Sequence, residues 1–234
     1  MKYMGSKNRI AKHILPIVLR GRVEGQYYVE PFVGGANMID KVDGPRIGGD
    51  YNEFIAEMWK ALEGGWKPAD NFTKFDYAAA RDGRIVDKAV VGWLGVNCSY
   101  SGKWFAGFAG KTNTKKGIRD YQKEAHRNTM AQVPNIKGVT FVHSSYEALD
   151  IPDNSIIYCD PPYRGTTGYK DNFNHAEFWE WCRAKASQGH TVFISEYTAP
   201  DDFRCVWEKE VSSSLSANGN IGGSKKSIER LFTI

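Results

Sequence analysis

Tyr27-Tyr28-Val29-Glu30-Pro31-Phe32-Val33-Gly34-Gly35-Ala36-Asn37 is the stretch that decides the fold. Its first four residues read as a strand, and Pro31 with the Gly34-Gly35 turn ends it. Glycine removes the Cβ obstruction, so such a turn lets the backbone approach a ligand closely. A helix from Ala36 to Lys41 is expected next, then a second short strand, Arg46-Ile47-Gly48-Gly49-Asp50, with a carboxylate at its end. An acid about twenty residues beyond such a turn is placed to take a ribose's hydroxyls. Taken alone the pair is weak, because a structural turn and a surface aspartate explain it equally well. The fingerprint G-x-G-x-x-G is also absent.

Outward from this point the chain alternates. Phe54, Ile55, Met58, Trp59 and Leu62 fall at helical spacing, predicting a helix over 54–62. Strands are predicted at Val139–Val142, at Ser155–Cys159 and at Thr191–Ser195, with a helix from His175 to Ala186. Cys205–Val211 and Ser227–Ile234 read as two strands flanking a polar Ser/Asn/Gly loop over 212–226. Several strands separated by helices imply α/β architecture: a doubly wound, mainly parallel sheet with an antiparallel C-terminal hairpin. Such sheets bind ligands at the carboxyl ends of their strands. Between 63 and 137 the order loosens into an aromatic, basic stretch, read as an inserted subdomain; 1–62 and 138–234 then form one domain.

With 234 residues, 41% hydrophobic and 25% charged, the chain fits one folded domain with a modest insert. No apolar run approaches the ~20 residues that cross a bilayer, and the first residues lack an apolar secretory core. A cytoplasmic location is the expectation. Cys98, Cys159, Cys182 and Cys205 are scattered without a C-x-x-C pair, so buried free thiols are expected and no metal. Net charge is only +4, but 97–137 holds eight Lys and Arg against two acids, net +6, leaving −2 elsewhere. A polyanion site explains this segment, and so does a solvated lysine-rich face.

The sharpest feature is Ile156-Ile157-Tyr158-Cys159-Asp160-Pro161-Pro162-Tyr163. A buried strand delivers a carboxylate, and two prolines then fix the exit of the chain, carrying an aromatic ring at a set distance. The arrangement suits a planar amine: Tyr163 stacks on it while Asp160 and the Pro161 carbonyl accept its two hydrogens.

With Glu-Pro-Phe-Val-Gly-Gly upstream, this Asp-Pro-Pro-Tyr resembles the Dam-like family of N6-adenine DNA methyltransferases. Further matches follow in the family's order. Tyr3, Gly5 and Lys7 match its N-terminal Tyr-x-Gly-x-Lys; Asp50-Tyr51-Asn52 matches its Asp-x-Asn; Asn97–Trp104 and Glu229–Phe232 resemble later segments. The resemblance implies a Rossmann-like fold, S-adenosylmethionine as cofactor, and methyl transfer to adenine N6 in double-stranded DNA. The target base is flipped out and transfer is a direct in-line displacement. Asp160, Pro161, Pro162 and Tyr163 are the implied catalytic residues. Tyr3, Lys7, Glu30, Phe32, Gly34, Gly35, Asp50, Ser145, Tyr146 and Asp160 are the implied cofactor residues. Ala36 departs from the family, where many relatives carry a third glycine, so a positive φ there would be strained. Lys103, Lys111, Lys115, Lys116, Arg119, Gln122, Lys123 and Arg127 are the DNA-contact candidates, with Arg119, Gln122, Lys123 and Arg127 at helical spacing. A monomer or weak dimer is expected. Asp-Pro-Pro-Tyr and its Asn variant also serve RNA adenine, DNA cytosine N4 and protein glutamine, and an inactive DNA-binding relative is a further alternative.

Overall fold

The computed structural model describes residues 1–114, 117–163, 173–213 and 225–234. A short 3-10 turn at Lys7–Arg9 leads into α1 (Ala11–Val18), and β1 (Tyr28–Glu30) follows. Where a helix over 36–41 was expected, only a 3-10 turn forms, at Ile39–Lys41. Ala36 explains the shortening, since its φ of +50° lies outside the right-handed helical region. β2 (Arg46–Asp50) and α2 (Glu53–Glu63) come next, the latter capped by the Asn52 side chain on the Phe54 amide.

Three helices and a hairpin then precede the third sheet strand. They are α3 (Lys74–Arg81), α4 (Lys88–Asn97), the hairpin β3 (Lys111–Thr114) and β4 (Gly117–Asp120), and α5 (Tyr121–Gln132). The chain returns to the sheet with β5 (Val139–His143) and β6 (Ile156–Cys159), then α6 (His175–Ser187) and β7 (Thr191–Glu196). It finishes with β8 (Arg204–Ser213) and β9 (Lys225–Thr233).

The main sheet runs β5-β2-β1-β6-β7-β9-β8. The first five in that order are parallel, and β9 and β8 join antiparallel. The chain builds outward from β1 through β2 to β5, then restarts on the other side at β6. The carboxyl ends of β1 and β6 therefore flank the switch point, where such sheets open a crevice.

Alternation along the central strands divides the core into two layers. Tyr28, Ile156 and Tyr158 face a cluster with Ile14, Trp59 and Leu94, whereas Val29, Ile157 and Cys159 face Phe178, Cys182 and Tyr146. The 63–137 segment is not a detached module, because Trp93 and Leu94 of α4 belong to the same cluster as α2. Gly92 permits that approach: a Cβ there would lie 2.1 Å from the Phe54 carbonyl oxygen. Among the thiols, Cys98, Cys159 and Cys182 are buried as expected, but Cys205 on the edge strand β8 is exposed.

Candidate functional site

The bend after β1 is held from several directions. The Trp59 indole donates to the Gly34 carbonyl at 2.8 Å, and the Gln132 amide donates to the carbonyls of Gly35 and Ala36 at 3.1 and 2.8 Å. Tyr3 lies against it so tightly that a Cβ on Gly34 would sit 2.7 Å from the ring, and one on Gly35 2.6 Å from the Tyr3 Cβ. Gly34 has φ +44°, and Ala36, fully buried, takes φ +50°. The strain anticipated for an alanine at this position is thus present.

Asp50, at the end of β2, is tied into the same bend. Its Oδ2 accepts the Gly34 amide and its Oδ1 the Asn52 amide, both at 2.9 Å. Burial pushes its pKa up to about 6, against the pull of those two donors. Beside it, the Ser144 amide donates to the Asp50 carbonyl, bringing the turn after β5 to the same place. Ser145 ends up closing that turn, with its hydroxyl accepting from the Ala148 amide. Phe32 and Tyr146 come together with ring centroids 5.5 Å apart, and Phe173 and Phe178 complete the aromatic wall. Glu30 is placed differently. Its carboxyl is buried in the sheet, accepts the Tyr28 hydroxyl at 2.9 Å, and is held well above the usual carboxylate range by burial.

Across β1, the end of β6 carries the acid corner. Asp160 is met by Lys7, whose Nζ is 2.9 Å from Oδ1 and also donates to the Gly5 carbonyl at 3.1 Å. Lys7 was expected at the cofactor; here its ammonium sits over the Tyr163 ring, 4.5 Å from the centroid. The Tyr163 hydroxyl donates to Glu229 at 2.9 Å, and that carboxylate lies 3.8 Å from Lys7. Tyr197 packs edge-on to Tyr163 with centroids 4.7 Å apart. Burial works against the Lys7 ammonium, but Asp160 and Glu229 outweigh it and raise its pKa. Burial raises Asp160 above its ordinary value, and Lys7 draws it part of the way back.

Glu229 and Tyr197 escaped the sequence reading as site residues. Glu229 reaches the corner only because β9 folds back antiparallel beside β7, a pairing between segments about thirty residues apart. Its one signal was its place in Glu229–Phe232, which resembles a later segment of the family.

The DNA-contact candidates separate. Lys111, Arg119, Lys123 and Arg127 are exposed, and Lys103 is half-buried. Arg119 lies on β4 rather than on the helix, which begins at Tyr121 behind its Asp120 cap, and its guanidinium pairs with Glu124 at 2.7 Å. Gln122 must be removed from that face. It is buried, its amide exchanging two 2.9 Å hydrogen bonds with the backbone of Phe72, so helical spacing misassigned it. Lys115 and Lys116 lie outside the described residues.

Among the described residues no group of three or more His, Cys, Asp or Glu is arranged to hold a metal ion, and no helix is long and apolar enough to cross a membrane. A search of the curated proteins finds no match. The family model for D12 class N6 adenine-specific DNA methyltransferases matches residues 3–75 and 72–195, which take in the glycine bend, Asp50 and the Asp-Pro-Pro-Tyr corner. With most of its length matched, the chain belongs to the D12 class N6 adenine-specific DNA methyltransferase family.

Proposed function

We propose that the chain transfers the methyl group of S-adenosylmethionine to N6 of an adenine flipped out of duplex DNA, by direct in-line displacement. The observation that carries this reading is the corner itself. One buried carboxylate, Asp160, already accepts a hydrogen bond from a side-chain nitrogen lying on the Tyr163 ring. A planar amine stacked on that ring and donating to Asp160 would use the same two partners.

The residues around the bend fit that cofactor. Asp50 is an acid at the second strand's end with lone pairs left beyond its two amide donors, suited to a diol. Phe32 and Tyr146 offer apolar ring surface beside it, suited to a purine. Tyr3, Gly34 and Gly35 form the bend under the remainder, and Glu30 acts from behind it. S-adenosylmethionine supplies an electrophilic methyl on a sulfonium whose departure as a neutral sulfide needs no metal.

The protein's part is positional. The N6 lone pair is delocalised into the purine, and acceptance of the amine hydrogens by Asp160 and the Pro161 carbonyl turns that lone pair out of conjugation. Pro161 and Pro162 fix the exit from β6, so the ring and carboxylate keep their spacing. Tyr163 returns roughly 1–3 kcal/mol by stacking, offsetting part of the few kcal/mol lost on extrusion. Lys7 offsets part of the charge of Asp160 and Glu229 and yields its place to the base. Residues 63–137 act as the target-recognition part, with Lys103, Lys111, Lys123 and Arg127 on phosphates. Lys115 and Lys116 join them in this reading, and the enzyme works as a monomer or weak dimer in the cytoplasm.

Incubating duplex DNA, single-stranded DNA and RNA with S-adenosylmethionine labelled in the methyl group, then digesting to nucleosides, tests this. Label in N6-methyl-2′-deoxyadenosine from duplex DNA is expected. Label confined to cytosine or RNA overturns the substrate.

A further inference from the structure

Residues 1–23 contain Lys2, Lys7, Arg9, Lys12, Arg20 and Arg22 and not one Asp or Glu. Two of these cations are engaged internally: Lys7 in the acid corner, and Arg22 on the carbonyls of Gln26, Asp43 and Pro45. Arg9 and Lys12 are exposed and pair with no carboxylate among the described residues. Next to Lys12 in α1, the His13 ring lies over Trp207 of β8, with centroids 6.3 Å apart and planes 20° off parallel. Its Nε2 is 3.2 Å from the Nζ of Lys209. Burial, then Lys209 and Lys12, hold the His13 pKa below its ordinary value. Lys12 also rims an open groove of about 460 Å³ with Asn8 and Lys41, over Leu15, Pro16 and Leu19.

The position of this cluster matters as much as its sign. Lys209 is the ladder partner of Glu229, the acid that holds the Tyr163 hydroxyl. Directly paired residues of an antiparallel ladder project to the same face, and adjacent strands are about 4.8 Å apart. Lys209 therefore stands one strand beyond the acid corner, on the corner's own face. Its chain neighbour Glu208 is on the other face, engaged by Arg230 at 3.1 Å. The 63–137 segment meets the pocket elsewhere, where the Met4 amide donates to the Gly102 carbonyl beside the glycine bend of β1. Glu229 lies beside Lys209 on the neighbouring strand, but Arg9 and Lys12 pair with no carboxylate among the described residues, and cations gathered on one surface favour an anion beside them.

We infer that Arg9, Lys12, His13 and Lys209 form a second phosphate-binding surface for the DNA backbone, flanking the acid corner across from the 63–137 segment. The inference rests on the duplex-DNA reading above. A nucleotide swung out of a helix leaves the duplex to be gripped on both sides of the gap, and phosphate contacts supply that grip without reading sequence.

The test is the salt dependence of duplex binding by the full chain. The double variant Lys12→Gln/Lys209→Gln should lower the slope of log K against log salt by about 1.8, roughly 0.9 per lost phosphate contact. The double variant Lys12→Arg/Lys209→Arg should restore it. Arg20→Gln, two residues past the end of α1, should leave the slope unchanged, and unaltered melting temperatures certify that each variant folds. An unchanged slope in the glutamine double variant overturns the surface. So does an equal fall per charge in Arg20→Gln, which would reveal a bulk charge effect. Wild-type protein that ignores duplex DNA at low salt would instead bring down the duplex reading, and this surface with it.

Discussion

Asp50 and Asp160 end two strands that flank β1 on either side, and both are buried acids whose pKa burial raises. Their partners differ. Asp50 is held by two backbone amides, donors that cannot leave without unfolding the bend. Asp160 is held by the tip of a lysine, a donor that needs only a rotamer change to withdraw. The first is a fixed support and the second an exchangeable contact. On the function proposed above, a binding site and a reacting site would be built from one residue type by the choice of donor.

The largest effect that can break this comparison is on Asp160. Asp160→Ala should reduce methyl transfer at least about 10³-fold while leaving cofactor affinity nearly intact, measured by turnover beside calorimetric titration. Equal damage to both would mean that the two acids are not divided in this way.

Next is Lys7. Lys7→Met leaves a buried carboxylate pair without its cation and should destabilise the fold by about 3 kcal/mol in denaturant unfolding. The sign of its pH effect follows from Asp160. Lys7 lowers that carboxyl's pKa, so removing it raises the pKa further. The acid limb of the kcat/KM profile, which reports the free enzyme, should move to higher pH. A limb that stays in place would detach Asp160 from it.

Asp50→Ala should weaken S-adenosylmethionine about 10-fold at neutral pH, the worth of a hydrogen bond to a charged group. Wild-type affinity should itself fall as pH drops through about 6, where the carboxylate takes a proton. Affinity flat across that range would place the ribose elsewhere. The linkage runs the opposite way for folding. A raised carboxyl pKa favours the neutral form, so this group's stabilising contribution is complete below the ordinary value of 3.8 and is lost as pH rises through about 6.

The smallest effect belongs to the bend. Ala36→Gly relieves about 1–2 kcal/mol of left-handed strain and loses part of it to chain entropy, for a net gain near 1 kcal/mol. The melting temperature should rise by about 2–4 °C. A fall would show that the methyl group's packing outweighs the strain.

Much of this architecture was legible because its signals are local. The apolar runs of β1, β2 and β6, the acids that end them and the Pro161–Pro162 exit are each readable within ten residues. The helices α1, α3 and α4 were not predicted, and α5 was read only as a helical spacing that began too early, at Arg119. α4 is apolar nearly all round, which erases the face that periodicity detects, and α5 reads as a charged surface. Gln122 failed because spacing says which residues share a face and not whether that face looks outward. Glu229 and Lys209 lay beyond reach for a different reason. Their roles come from strand pairing across the sheet, and register between distant segments is not written in either one alone.

One contact joins parts of the molecule usually considered apart. Tyr3 forms a wall shared by the glycine bend and by the turn at Ser101 and Gly102, where a Cβ on Gly102 would strike the Lys2 carbonyl at 2.5 Å. The Met4 amide also donates to the Gly102 carbonyl, so the two turns touch each other through residues 2–4. Thermodynamic reciprocity then fixes the outcome: by whatever factor an occupant of the bend tightens the hold of the Gly102 segment on its own ligand, that ligand tightens the occupant equally.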